Sequence, residues 1–255
     1  MAAIRLDSPQ ALTFDGTHIW VALGSSRTQI AKLDLAGSVL FTGQVQSSAS
    51  SSSLLYDGDG VWITGRAPYN TATKVRLSNG TGVNKVPVGS NPVGMAFDGT
   101  HLWVAAGDGT VTKIKTADGS VLGTYRPMNV QPITAIVFDG TDRLGGTSIW
   151  ITLRDAVFRL SPVDGSVQAG VFLGLFLQTE LEIAGLLFDG ESLWVSDRTG
   201  GRVINLAFHP SGQAIDFAET YVVGSAPSAL IFDGLQVWVA NTGDGTVTRL
   251  PIAAR

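Results

Sequence analysis

Arginine recurs at a fixed spacing from tryptophan in this sequence, and guanidinium groups bind carboxylates and phosphates through paired donors. Three arginines stand four residues after a tryptophan, and a fourth follows Trp20 by seven residues: Arg66, Arg154, Arg198 and Arg27. Polar residues lie in the same or equivalent segments: Asp108, Asp155, Asp197, Asn241 and Asp244. The pattern predicts a binding site for a small anionic ligand or an acidic peptide. Its predicted residues are Arg27, Arg66, Arg154, Arg198, Asp197 and Asn241.

The same charges have a second interpretation that needs no ligand. Arg154 could pair with Asp155, and Arg198 could pair with Asp197 or Asp155. Exposed pairs of this kind contribute little to stability. The arginines would then form only a solvated rim, and the sequence leaves both interpretations open.

A second candidate surface is the apolar segment VFLGLFLQTELEIAG, residues 171–185. Phe172, Leu175 and Phe176 are predicted to form a partner or self-association patch, because exposed apolar clusters mark interaction surfaces. The alternative is ordinary packing of a long loop against the rest of the protein.

The most prominent recurring residues are predicted to be structural. Six aspartates each precede a glycine, which is typical of a turn cap rather than of a metal site: Asp15, Asp57, Asp98, Asp139, Asp189 and Asp233. Six tryptophans follow in equivalent positions, which favours packing over sugar stacking: Trp20, Trp62, Trp103, Trp150, Trp194 and Trp238. The three histidines, His18, His101 and His209, are predicted to be exposed turn residues.

These residues belong to a repeat that sets the architecture. An aromatic-Asp-Gly step recurs six times at spacings of 41 to 50 residues, as in FDGTHLWVAAG from Phe97. This period is typical of a four-stranded propeller blade. In the third copy, PVGMAF, HLWVAA, TVTKIKT and SVLGTYR read as strands A to D, separated by turns rich in Asp and Gly. Small residues three positions before each aromatic predict that strand A is the innermost strand.

The predicted fold is therefore all-β: a six-bladed β-propeller of four-stranded antiparallel blades, forming one domain over residues 1–255. Its repeats begin near Ser8, Ser50, Asn91, Gln131, Ile183 and Ala226. The last copy ends after its strand C, whereas AIRLDSPQALTF at the N-terminus aligns with TYVVGSAPSALIF before the sixth repeat. Residues 2–6 are thus predicted to complete the last blade and to close the ring, which would remove an exposed sheet edge.

The repeat resembles the YVTN/NHL-like bacterial propellers, most fully in FDGLQVWVANTGDGTVTRL, residues 232–250. It is more distantly similar to the streptogramin-lyase-like group, in which the resemblance implies acidic or histidine ligands for a metal near the central channel. This chain departs from that pattern, because its six predicted inner strands carry no Asp, Glu, His, Lys or Arg before the turn. No metal or cofactor is therefore expected.

Composition narrows the classes of function that remain possible. The 17 basic and 21 acidic residues give a net charge of −4, which disfavours nucleic acid as a partner. No apolar run reaches the length of a membrane helix, and no signal peptide is visible, so a soluble cytoplasmic monomer is expected unless the chain was cut from an exported precursor. The sequence predicts a non-catalytic scaffold that binds a protein, peptide or small anion on its variable loops, with a lyase or hydrolase using those loops as the alternative.

Overall fold

The computed structural model describes residues 6–24, 28–45, 51–128, 132–140, 147–208 and 215–251. These residues form six antiparallel sheets in chain order, five of four strands and the last of three. Within each sheet, each strand pairs with the next along the chain, which is the arrangement of propeller blades and confirms the predicted fold class. The chain divides into two compact units of three blades each, Met1–Val130 and Gln131–Arg255.

The first unit holds blades one to three. Blade one consists of β1 (Pro9–Phe14), β2 (Ile19–Gly24), β3 (Thr28–Leu33) and β4 (Val39–Gln44). Blade two consists of β5 (Ser51–Tyr56), β6 (Val61–Gly65), β7 (Thr71–Val75) and β8 (Gly82–Pro87). Blade three consists of β9 (Pro92–Phe97), β10 (His101–Ala106), β11 (Val111–Lys115) and β12 (Val121–Tyr125), close to the four strands predicted for this copy.

The second unit holds blades four to six. Blade four consists of β13 (Ala135–Phe138), β14 (Ile149–Thr152), β15 (Ala156–Leu160) and β16 (Val167–Phe172), followed by the helix α1 (Leu173–Leu177). Blade five consists of β17 (Ile183–Phe188), β18 (Leu193–Asp197), β19 (Arg202–Phe208) and β20 (Ile215–Val222). Blade six consists of β21 (Pro227–Phe232), β22 (Gln236–Asn241) and β23 (Thr246–Pro251).

Each repeat aspartate caps the turn between strands A and B, as predicted. Its Oδ1 accepts a backbone N–H at the start of strand B over 2.7–2.8 Å in all six blades. Its Oδ2 accepts the indole Nε1–H of the repeat tryptophan at 2.7–3.0 Å, also in all six. The spacing of Asp and Trp in the repeat therefore reflects a hydrogen bond that the sequence did not reveal.

Four of the repeat tryptophans are seen to pack between blades, as predicted. Trp20 joins a cluster with Leu54 and Ile63 of the next blade, and Trp194 joins one with Val237 and Val239. Trp62 and Trp150 lie in the equivalent clusters of their own units. Because an indole ring buries a large apolar area, these contacts supply much of the adhesion between neighbouring blades.

Strands A of neighbouring blades contact one another within each unit, β1 with β5 and β5 with β9, then β13 with β17 and β17 with β21. The approach is close at Gly185, where an added Cβ would lie 2.1 Å from the backbone oxygen of Ser228. A side chain at this position would displace backbone, which explains why a small residue is needed there and agrees with strand A as the inner strand.

Several predictions fall on residues that the structure does not describe. The predicted closing strand lies mostly in residues 1–5, so ring closure and the single domain stay predictions; Leu6 packs against the core of blade one. Arg27 and His209 also lie outside the described residues, as do residues 141–146, in a turn that is six residues longer in blade four than in the other blades. In the described part of the chain, no helix is long and apolar enough to span a bilayer.

Candidate functional site

The two ends of a blade differ in their connections. Because the strands alternate in direction, the A-to-B and C-to-D turns lie at one end, called here the turn end. The B-to-C loops and the D-to-A connections lie at the other end, called here the loop end. Arg66 follows β6, Arg154 lies between β14 and β15, and Arg198 follows β18, so all three belong to loop ends and all are exposed. Arg66 belongs to the first unit, whereas Arg154 and Arg198 belong to adjacent blades of the second.

Two loop-end carboxylates are used to fasten loops. Asp108 accepts bonds from Thr110 and from the backbone N–H of Ser90 at 2.7 Å, and thereby joins the B-to-C loop of blade three to the connection before it. Asp244 makes the same contacts with Thr246 and Ser225 in blade six. Burial raises the pKa of Asp108, but these hydrogen bonds more than offset it, so that its pKa lies below the usual range.

Asp197 plays a similar part in blade five. Its side chain is fully buried, and its oxygens accept bonds from Arg202 Nε at 2.8 Å, from Thr199 and from the backbone N–H of Glu182. Arg198 instead reaches Glu182 Oε1 at 3.5 Å. The suggested pairing of Arg198 with Asp197 is therefore wrong, because the buried carboxylate is held by Arg202 on the neighbouring strand.

Asn241 lies at the end of β22 and is 2% exposed. Its Nδ2 donates to the hydroxyls of Thr246 and Thr248 on β23, at 3.0 and 2.8 Å. Its Oδ1 has no hydrogen-bond partner among the described residues. These contacts fasten the two strands together, and the binding role predicted for Asn241 stays a prediction.

The loop end of blade four contains a pocket of about 460 Å³. The B-to-C loop supplies Arg154 and Asp155, and the connection from β16 to β17 supplies Gly174 and residues 178–181. Two backbone bonds hold these segments together: Ile183 N donates to the oxygen of Arg154 at 2.7 Å, and Gly174 N donates to that of Asp155 at 3.2 Å. The pocket thus unites one predicted arginine with the apolar segment that the sequence singled out separately.

The helix α1 anchors that segment and exposes part of it. Leu173 is buried with Leu181 in the core between blades four and five, and Leu177 packs against the same core. Leu175 is 81% exposed and Phe176 is 54% exposed. Phe172 makes a T-shaped contact with Phe158, with ring centroids 5.5 Å apart, and stays 46% exposed. The segment is therefore packed at Leu173 and Leu177 and exposed at Leu175 and Phe176, and its role as a partner patch stays a prediction.

The helix itself was not predicted from the sequence. The chain leaves β16 at Phe172, turns through five helical residues and stops at Gln178, whose left-handed φ of 52° ends the helix. The one signal in the sequence was the length of this connection. A five-residue helix has too few turns to show an apolar stripe.

The pocket has a mixed electrostatic lining. Arg154, Asp155 and Glu180 all line it, so acidic residues outnumber basic ones. No hydrogen bond or ion pair of these three side chains is found within the part of the chain that the structure describes. The lining can therefore pair with charged groups of an incoming ligand, and it favours a ligand that carries positive charge.

Histidines and clustered carboxylates do not form a metal site among the described residues, where no group of three His, Cys, Asp or Glu side chains comes together. His18 and His101 are half-buried rather than exposed. Their Nδ1 atoms lie 3.5 and 3.1 Å from the Oδ2 atoms of Asp15 and Asp98, so both rings belong to the capped turns.

Comparison with known proteins establishes the fold. No protein-family model matches the chain, and no curated protein matches it by sequence. A chain of the mitotic checkpoint complex superposes with a TM-score of 0.78 at 12% identity, covering 95% of this chain and 77% of that one. A C-terminal WD40 domain superposes with a TM-score of 0.69 at 17% identity, covering 96% of this chain and 70% of that one. Hydrazine synthase of Kuenenia stuttgartiensis superposes with a TM-score of 0.69 at 16% identity, covering 97% of this chain and 84% of that one. The chain thus has the β-propeller fold in six blades.

Proposed function

We propose that the protein is a non-catalytic binding propeller that holds a peptide segment of a partner protein at the loop end of blade four. The observation that carries the proposal is the pocket of about 460 Å³ bordered by α1, with Leu175 and Phe176 exposed on that helix. Its size lies within the range of ligand sites. Exposed apolar side chains beside a polar pocket are typical of protein-binding surfaces, where an apolar anchor supplies most of the affinity.

Charge defines the kind of peptide. With two carboxylates and one guanidinium around the pocket, a basic side chain of the peptide pairs with Asp155 or Glu180, while its own backbone or an acidic group accepts from Arg154. We infer a segment with an apolar anchor next to a basic residue. The purely anionic ligand expected from the arginine spacing fits this pocket less well.

One comparison supports a binding role without specifying it. One structural neighbour is part of the mitotic checkpoint complex, so a propeller of this fold occurs within a protein assembly. The aromatic-Asp-Gly repeat is also consistent with a divergent relative of the YVTN/NHL-like propellers, and we keep that relationship as a proposal about ancestry.

The test is selection of random peptides displayed on phage against the immobilised full chain, followed by fluorescence anisotropy with the enriched peptides. We expect enriched sequences with an aromatic or leucine residue near Lys or Arg. The double variant Leu175→Ser, Phe176→Ser should weaken their binding by at least about tenfold. Both side chains are exposed, so the fold should be retained.

Two matched variants locate the site. Leu235→Ser removes an equally exposed leucine, 79% accessible, from a turn end, and it should leave peptide binding unchanged. Arg66→Gln changes the arginine at the equivalent position of blade two and should also have no effect, whereas Arg154→Gln should weaken binding. Equal losses at Arg66 and Arg154, or retention of binding by the double variant, would contradict the proposal.

A further inference from the structure

One position of strand C can be compared across all six blades. On strand B, one residue directly follows the repeat tryptophan, and its pairing partner on strand C occupies this position. In blade order, the partners are Ala31, Thr73, Thr112, Phe158, Ile204 and Thr248. Three blades thus place a hydroxyl where the other three place an apolar side chain. A hydroxyl inside a sheet protein is expected to have a hydrogen-bond partner.

Two of the three hydroxyls have one. Thr112 Oγ1 lies 3.5 Å from Thr124 Oγ1 on the neighbouring strand, and Thr248 Oγ1 accepts from Asn241 Nδ2 at 2.8 Å. Thr73 is only 4% exposed, and its Oγ1 has no partner among the described residues. The neighbouring residues explain the difference. In blade two, Gly65 ends β6 at the position that Asn241 has in blade six. Thr73 also pairs with Lys85, whereas Thr112 of blade three pairs with a second threonine.

Thr73 also lines a pocket of about 350 Å³ in the first unit. The outer strand of blade one contributes Gln44, and blade two contributes Thr73 and Lys85. Thr81, Gly82 and Val83 complete the lining. Four of these six residues carry hydrogen-bonding side chains, one of them cationic, and none carries a carboxylate.

We propose that this pocket binds a small molecule through a carboxylate or phosphate group, with Lys85 supplying the charge and Thr73 a hydroxyl donor. None of its lining residues is acidic, unlike in the pocket of blade four, so an oxyanion meets donors here without a carboxylate in the lining. Thr73 Oγ1 is buried, and it is Cγ2 that lies beside Gly82. Rotation of χ1 from one staggered position to the next moves Oγ1 to the place of Cγ2 and Cγ2 to the place of the Cβ hydrogen, so the hydroxyl can turn to the ligand. The space in front of it exists because residue 82 is glycine: an added Cβ would lie 3.0 Å from Thr73 Cγ2.

The test measures stabilisation of the full chain by two probes, succinate and inorganic phosphate, each against sodium chloride at the same ionic strength. A ligand that binds only the folded protein raises the melting temperature in proportion to its saturation. We expect one of the two probes to raise it beyond the salt control, and the identity of that probe distinguishes a carboxylate ligand from a phosphate ligand. Isothermal titration then gives the affinity.

Two variants assign the effect to the pocket. Lys85→Gln removes the charge, and Thr73→Val removes the hydroxyl while keeping the branched shape; each should weaken binding by at least about tenfold. Thr73→Val should also melt no lower than the wild type without probe, because the lost hydroxyl has no partner. The matched controls, Lys115→Gln and Thr112→Val in blade three, should keep the response. No stabilisation beyond chloride, or an undiminished response in Thr73→Val, would overturn the proposal.

Discussion

The turn ends and the loop ends of the blades use the same residue types in different ways. At the turn ends, six aspartates make the same two kinds of contact, with a backbone N–H and with an indole. At the loop ends, Asp108 and Asp244 fasten one loop to the next, Asp197 pairs with Arg202, and Asp155 lines a pocket. Repetition marks residues that build the fold, and departure from repetition marks the surface where blades can differ in function.

Blade four shows this difference within a single blade. Its A-to-B turn has six more residues between Asp139 and Trp150 than the other blades have between their Asp and Trp. Asp139 nevertheless accepts bonds from Ser148 N and Trp150 Nε1 at 2.8 and 3.0 Å. The longer connection at the loop end instead forms α1 and the pocket. The extra residues at the turn end leave the contacts of Asp139 in place, whereas the extra residues at the loop end form the helix and line the pocket.

Acid should produce the largest effect, because it acts on many turns at once. Burial raises the pKa of Asp57 and of Asp98. Hydrogen bonds from Lys74 and Trp62 to Asp57, and from Trp103 to Asp98, lower the pKa by more, so the pKa of both carboxyls lies below the usual range. The folded protein therefore binds fewer protons than the unfolded chain near the ordinary Asp pKa of about 3.9. The stability that the ionised carboxylates contribute is fully present above that pH, and it is lost as the pH falls through their lowered pKa values in the folded protein.

Urea denaturation at neutral pH, near pH 5 and near pH 3 checks this expectation. The midpoint should change little between the first two conditions and fall steeply at the third. A midpoint at pH 3 equal to that at neutral pH would show that the turn carboxylates do not stabilise the fold through their ionised form.

A single turn end should lose less, but still a large amount, when its aspartate is removed. Asp98→Ala deletes the acceptor of the Trp103 indole at 2.9 Å and of the backbone N–H groups of Thr100 and His101. With a buried indole donor left unpaired, the free energy of unfolding should fall by about 4 kcal/mol. The control, Asp118→Ala in the exposed C-to-D turn of the same blade, should have a far smaller effect in the same denaturation experiment.

The sequence predicted the features that depend on local pattern and missed those that depend on three-dimensional contacts. The strands of blade three and the turn role of Asp98 follow from alternation and from Asp-Gly. The bond from Trp103 to Asp98 needs the strand register, and the burial of Asp197 needs the contact of β18 with β19. The spacing of Arg198 from Trp194 left a ligand-binding and a paired arginine both open, and it did not indicate Glu182 as the partner. Site residues were therefore the least predictable part, because their partners come from other segments.

The smallest change in stability is expected from a substitution of Arg198. Comparison with Arg202 distinguishes an exposed charge at the loop end from one that pairs with a buried carboxylate. Arg198→Gln breaks a contact of 3.5 Å with Glu182 in which both side chains are about half exposed, so stability should change by less than about 1 kcal/mol. Arg202→Gln, four residues on, leaves the buried carboxylate of Asp197 without its cation and should cost about 3 kcal/mol. Urea denaturation of the two variants measures the contrast. Equal losses would mean that Arg198 fastens the loop as firmly as Arg202 does, and the loop end of blade five would then be as structural as the turn ends.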